Sequence, residues 1–125
     1  MLRKYIVIGS LNALLSVALG AFGAHILQKI LTPERLATFE TAVQYHMSHA
    51  LGILLIALLA DKLVDQRKAL WAARLLWIGI IVFSGSLYLL CFTGVTKLGA
   101  ITPIGGVAFI AGWLMLALSV SAHKR

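Results

Sequence analysis

Three histidines in apolar surroundings, His25, His46 and His49, carry most of the chemical capacity of this sequence. His46 and His49 are three residues apart, a spacing that puts both on one side of a helix, about 60° from each other. Gln44, Tyr45 and Ser48 add amide and hydroxyl groups beside them, and Glu40 is the nearest carboxylate. Several chemistries are open to such a set. The imidazoles can bond carbonyls or hydroxyls on neighbouring helices. Neutral imidazole also suits zinc, copper, iron and nickel, and three nitrogens without a carboxylate would fit an open zinc site. Haem would need His25 and one helix-two histidine on opposed helices, and a quinol or lipid head group could bond histidine together with Tyr45. His25 and His49 are the candidate metal ligands. Glu40 falls nine residues before His49, about 180° round a helix, so it is expected to cap or to bond a nearby segment and not to share their ligand shell.

These side chains must be positioned inside a membrane. The chain has 125 residues, 61% of them hydrophobic and only 12% charged, with a mean hydropathy of +0.97, whereas soluble domains are about 25% charged. That composition excludes a soluble enzyme, a disordered chain and, with Cys91 as the one cysteine, a disulfide scaffold. No Asp, Glu, Lys or Arg occurs from Tyr5 to Gln28, Thr41 to Ala60, Leu75 to Thr96 or Leu98 to Ala122. Each gap reaches the ~20 residues that a helix needs to cross ~30 Å of hydrocarbon, and a helix is the one open-chain solution there. The expectation is an all-α integral membrane protein, a four-transmembrane-helix bundle forming one domain over 1–125, with helices at about 5–27, 39–60, 71–92 and 103–122. The small residues at Gly20 to Ala24 resemble a leader cleavage site, but the apolar run before them is long for a leader and reads as a retained span.

Charge sets the orientation. Of the 11 Lys and Arg residues, Arg3, Lys4, Lys62, Arg67, Lys68, Arg74, Lys124 and Arg125 fall on the side of the two termini and the middle loop, against Lys29, Arg35 and Lys97 opposite. This positive-inside bias places both termini in the cytoplasm. The net charge of +7 thus has a topogenic origin, with attraction to anionic lipid heads as a by-product, and no separate basic patch is left for nucleic acid. Packing in lipid relies on small residues that permit close approach. Gly9, Ala13, Ser16, Gly20 and Gly23 form such a seam on the first helix, Gly79 and Ser86 on the third, and Gly105, Ala108 and Gly112 on the fourth. One of these seams could serve a homo-oligomer. Thr32-Pro33 and Thr102-Pro103 each offer a capping hydroxyl before a proline at the first helical position, and Phe39 and Phe109 stand six residues after each proline, as a duplicated two-helix unit would have them.

Four ordered strings carry a resemblance: LGAFGAH ending at His25, FETAVQYHMSHAL from Phe39 to Leu51, FSGSLY from Phe83 to Tyr88, and TPIGG from Thr102 to Gly106. Together they resemble the DUF423 (UPF0382) family of small bacterial inner-membrane proteins, and the likeness covers essentially the whole chain. It implies a multi-pass plasma-membrane protein of four spans without an assigned activity. It also implies histidine at positions 25 and 49 and often glutamine at position 46, which favours a His25–His49 pairing over a three-histidine metal site. The reading is a non-enzymatic protein with no catalytic motif, its cofactor unknown and none expected. It would act on membrane lipids, on a second copy or on another membrane protein through a polar pocket at the outer rim. That pocket is expected to comprise His25, Glu40, Tyr45, His46 and His49, all near the outer interface. The alternatives are a cofactor-bearing redox protein and a small-solute transporter or channel.

Overall fold

The computed structural model describes residues 2–60 and 65–121. Lys62, His123, Lys124 and Arg125 lie outside the described residues, as does position 122, the expected end of the last helix. The chain runs through α1 (Arg3–His25), a 3₁₀ turn (Leu27–Lys29), α2 (Pro33–Leu59), α3 (Gln66–Gly79), a π-helical turn (Ile80–Ser84), α4 (Gly85–Thr93), a second 3₁₀ turn (Thr96–Ala100) and α5 (Thr102–Ser121). α3, the π turn and α4 form one continuous rod, so four rods are long and apolar enough to cross a membrane.

Local chemistry explains the limits of these elements. The Thr32 hydroxyl accepts the Arg35 N–H at 3.2 Å, and Pro33 opens α2 with Glu34 in its first turn. This cap starts α2 six residues before the expected position 39. Asp65 caps α3 by accepting from the N–H groups of Arg67 and Lys68, which starts the third rod at Gln66 and not at 71. Gly94 ends α4 at φ +75°, where its N–H bonds the Leu90 carbonyl; this left-handed stop suits glycine. The second Thr-Pro behaves differently. Thr102 lies within α5, and its hydroxyl meets the Ser86 hydroxyl of α4 at 2.6 Å, so it joins two rods instead of capping one.

α2 and the third rod make up the centre, with α1 packed on α2 and α5 packed on the third rod. On α1 the residues buried against α2 are Gly9, Asn12, Ser16 and Gly23, with Gly20 half-buried beside Val43. Asn12 thus takes the buried place expected of Ala13, which is half-buried. Gly79 and Ser86 both face α5, through Phe109 and Thr102. Gly105 lies on the backbone of Phe83 and Gly112 on Ala72 and Leu76, while Ala108 is half-buried. Two apolar clusters fill the interior. One, around Leu2, Ile56, Ala69 and Leu76, unites the start of α1 with the end of α2 and the start of α3. The other joins Leu27, Phe39 and Cys91 at the opposite end. The Asp65 N–H bonds the Ser119 carbonyl of α5 at 3.2 Å, so the start of α1, the end of α2, the start of α3 and the end of α5 share one end of the bundle. Between the two clusters lies a layer of polar side chains.

Candidate functional site

His46 is the central residue of α2, about 20 Å along the axis from either end, and it is buried at 2% exposure. Its Nε2 lies 2.8 Å from Asn12 Oδ1 and its Nδ1 lies 2.9 Å from the Tyr88 hydroxyl. Asn12 in turn donates from Nδ2 to the Ile8 carbonyl at 2.8 Å. A carbonyl only accepts, so this last bond fixes the Asn12 amide with Oδ1 toward the histidine. Oδ1 also only accepts, so His46 must carry its hydrogen on Nε2. Nδ1 of the neutral ring then accepts from Tyr88. The result is one directed chain: Tyr88 O–H to His46 Nδ1, His46 Nε2–H to Asn12 Oδ1, and Asn12 Nδ2–H to the Ile8 carbonyl.

His49 is built the other way. Its Nδ1 is 2.8 Å from the Tyr45 carbonyl and must donate, while Trp113 Nε1–H, which can only donate, meets Nε2 at 3.0 Å. The ring stacks on Phe109 with centroids 3.6 Å apart. The two histidines are therefore opposite tautomers, one turn apart, and all four ring nitrogens are engaged. The π turn prepares this layer. It adds a residue to the rod and brings Ser84 and Tyr88 onto α2, where Ser84 Oγ donates to the Ala42 carbonyl at 2.9 Å, one turn from the Tyr88–His46 bond.

The five residues expected at an outer rim are only partly brought together. Tyr45 stacks beside His49 with centroids 5.9 Å apart, and both touch Phe109. His25 is exposed at the end of α1, 13 residues or about 20 Å along the helix from Asn12, the residue His46 bonds. The expected common depth and the His25–His49 pairing are thus corrected: the Thr32 cap lengthens α2 outward, so His46 and His49 lie in its middle. Glu40 is exposed and lines a cleft of about 170 Å³ with Gly20, Gly23, Phe39 and Gln44, which His25, His46 and His49 do not line. Among the described residues no group of three His, Cys, Asp or Glu could hold a metal ion, and the imidazole lone pairs of His46 and His49 already accept from Tyr88 and Trp113. Asn12, Tyr88 and Trp113, which complete the polar layer, are absent from the expected set.

Two openings flank the layer. Gln44, Tyr45, Ser48 and His49 line a cleft of about 280 Å³ on the outer side of α2. Asn12, His46 and Tyr88 form the floor of a groove of about 250 Å³ between α1 and the third rod, walled by Leu15, Trp77, Ile80 and Ile81.

A bundle of four rods long and apolar enough to cross a membrane, with a buried layer of polar side chains at its centre, is a multi-pass membrane protein. The sequence comparisons carry this further. The family described as "Protein of unknown function (DUF423)" matches residues 19–106. The UPF0382 membrane protein YwdK of Bacillus subtilis is 49% identical over 118 residues, 94% of this chain and 96% of that relative. UPF0382 membrane proteins of Staphylococcus haemolyticus and Staphylococcus epidermidis are 45% and 47% identical over 118 residues, each covering 94% of this chain and 95% of the relative. The chain belongs to the DUF423 (UPF0382) family. No solved structure matches it.

Proposed function

We propose that this protein is a non-enzymatic membrane component that acts by association within the bilayer, with the Gln44–Tyr45–Ser48 face of α2 as the contact and a second copy as the partner. The observation that carries this reading is unused hydrogen-bonding capacity in a span. Gln44, Tyr45 and Ser48 are exposed on α2. The Gln44 amide and the two hydroxyls border an open cleft, with no bond to another helix among the described residues. In hydrocarbon each such group costs several kcal/mol unless a partner satisfies it. Head groups lie at the interface, about 15 Å from the bilayer centre, so they reach the middle of α2 poorly, whereas another helix reaches it at any depth. A second copy inserted in the same direction presents its own Gln44 at the same level, and a carboxamide both donates and accepts. Charge placement supports both termini lying on the cytoplasmic side of a bacterial inner membrane.

Counting subunits by single-molecule photobleaching in vesicles, over a range of protein-to-lipid ratios, tests this. Wild type should dimerise and Gln44→Leu should dissociate at least tenfold more readily. A wild-type protein that stays monomeric, or a Gln44→Leu variant that dimerises as well, overturns the reading.

A further inference from the structure

We infer that the groove between α1 and the third rod, on the far side of the polar layer from the proposed contact, binds a lipid-soluble molecule whose apolar ring carries a hydroxyl: a phenol or hydroquinone. Hydrogen-bond valence and shape both point to such a ligand. The Tyr88 hydroxyl spends its one hydrogen on His46 Nδ1, because the Ile8 carbonyl and Asn12 Oδ1 leave the neutral imidazole no other arrangement. The phenolic oxygen keeps its acceptor capacity, and no second donor reaches it among the bonds of the described residues. The groove therefore offers an acceptor at its Tyr88 end. A molecule with a hydroxyl hydrogen satisfies it; a quinone or ether, which only accepts, does not. Asn12, which also lines the groove, keeps one amide hydrogen on the other side of the imidazole from Tyr88.

The walls suit a ring. Leu15, Trp77, Ile80 and Ile81 surround the opening, and Leu15 and Ile81 are exposed at 46% and 54% on the lipid-facing surface, so a molecule dissolved in the bilayer can enter sideways. Small-molecule sites commonly combine such apolar walls with a few placed polar groups. Gly85 leaves the space open: a Cβ built there meets no atom within 4 Å. The π turn that ends at Ser84 sets this geometry, and π turns recur at functional sites.

The test uses full-length protein with ¹⁵N-labelled histidine in phosphatidylcholine nanodiscs, titrated with 4-hexylphenol and, separately, with its methyl ether 4-hexylanisole. The phenol should shift the His46 ring resonances saturably, with those of His49 unchanged, and the ether should bind at least tenfold more weakly. Gly85→Leu, which fills the groove, should abolish the shift; an unchanged His49 signal reports its intact fold. Tyr88→Phe should bind the phenol no better than the ether. Equal binding of the two probes, no saturable shift, or a Gly85→Leu protein that binds as wild type would each overturn the inference. Dimerisation is read independently, through Gln44→Leu, so the two proposals fail separately.

Discussion

His49 sits between a donor that cannot accept and a carbonyl that cannot donate, so only its neutral Nδ1–H form satisfies both bonds. His46, between Asn12 Oδ1 and Tyr88, is held as Nε2–H. Nitrogen-15 spectra of the two rings should accordingly show opposite tautomers, and finding the same tautomer at both would refute the assignment of the two chains. Trp113→Phe keeps an aromatic side chain, though a smaller one, and removes the one donor to His49 Nε2. It should lower stability by about 0.5–1.5 kcal/mol, the span of hydrogen bonds inside membrane proteins, and leave the His46 resonances in place. The histidines were legible in the sequence because ionisable residues inside a span are conspicuous; their partners were not. Asn12 is uncharged and stands beside Ala13 in a run that reads as lipid-facing. Its signal was spacing, three residues after Gly9 and four before Ser16, the same seam that meets α2. Trp113 was absent from the expected set because its N–H has a purpose only when another helix supplies the acceptor.

The helices themselves were legible from the gaps between charges, but the limits of α2 and α3 were not. A charge count ends a span at Glu40, whereas the Thr32 hydroxyl and the fixed φ of Pro33 begin the helix earlier. The six added residues shift the histidines about 9 Å deeper relative to the helix start, enough to turn an outer rim into a central layer. The π turn was invisible for another reason, since its extra residue is fixed by contacts with α2 and α5 and not by any local preference. One such contact is Gly105, where an added Cβ would stand 2.8 Å from Phe83 Cα. Backbone cannot move aside as a flexible side chain can. Gly105→Ala should therefore push α5 off the turn and destabilise the protein by about 1–3 kcal/mol. Gly85→Ala, at φ −61° and ψ −43° and facing open space, should be neutral or stabilising by up to about 1 kcal/mol. Thermal unfolding of both variants in one detergent makes the comparison, and similar losses at the two positions would contradict the packing described.

Across the whole molecule the two halves use the same joint. Phe39 of α2 lies over Gly23 of α1, and Phe109 of α5 lies over Gly79 of α3, each six residues after a Thr-Pro. The glycine lets the ring seat against the preceding rod, and the two hairpins then meet along α2 and the third rod, where the polar layer forms. Apolar clusters close that layer toward both ends of the bundle, so the openings at the histidines face sideways, toward lipid, which suits lateral association better than passage of a solute. The Asp65–Ser119 bond and the cluster of Leu2, Ala60 and Ala69 hold the start of α1, the end of α2, the start of α3 and the end of α5 at one end. Among the described residues Arg3, Lys4, Arg67, Lys68 and Arg74 belong to that half of the bundle and Lys29, Arg35 and Lys97 to the other, the charge placement from which a cytoplasmic side is proposed for that end. A green fluorescent reporter fused after Arg125 should be bright and an alkaline phosphatase fused there inactive, while phosphatase inserted after Lys97 should be active. Phosphatase activity at the tail would reverse the orientation. Activity at both positions would be incompatible with the fold, because the rod from Thr96 to Val120 carries the chain from one end of the bundle to the other.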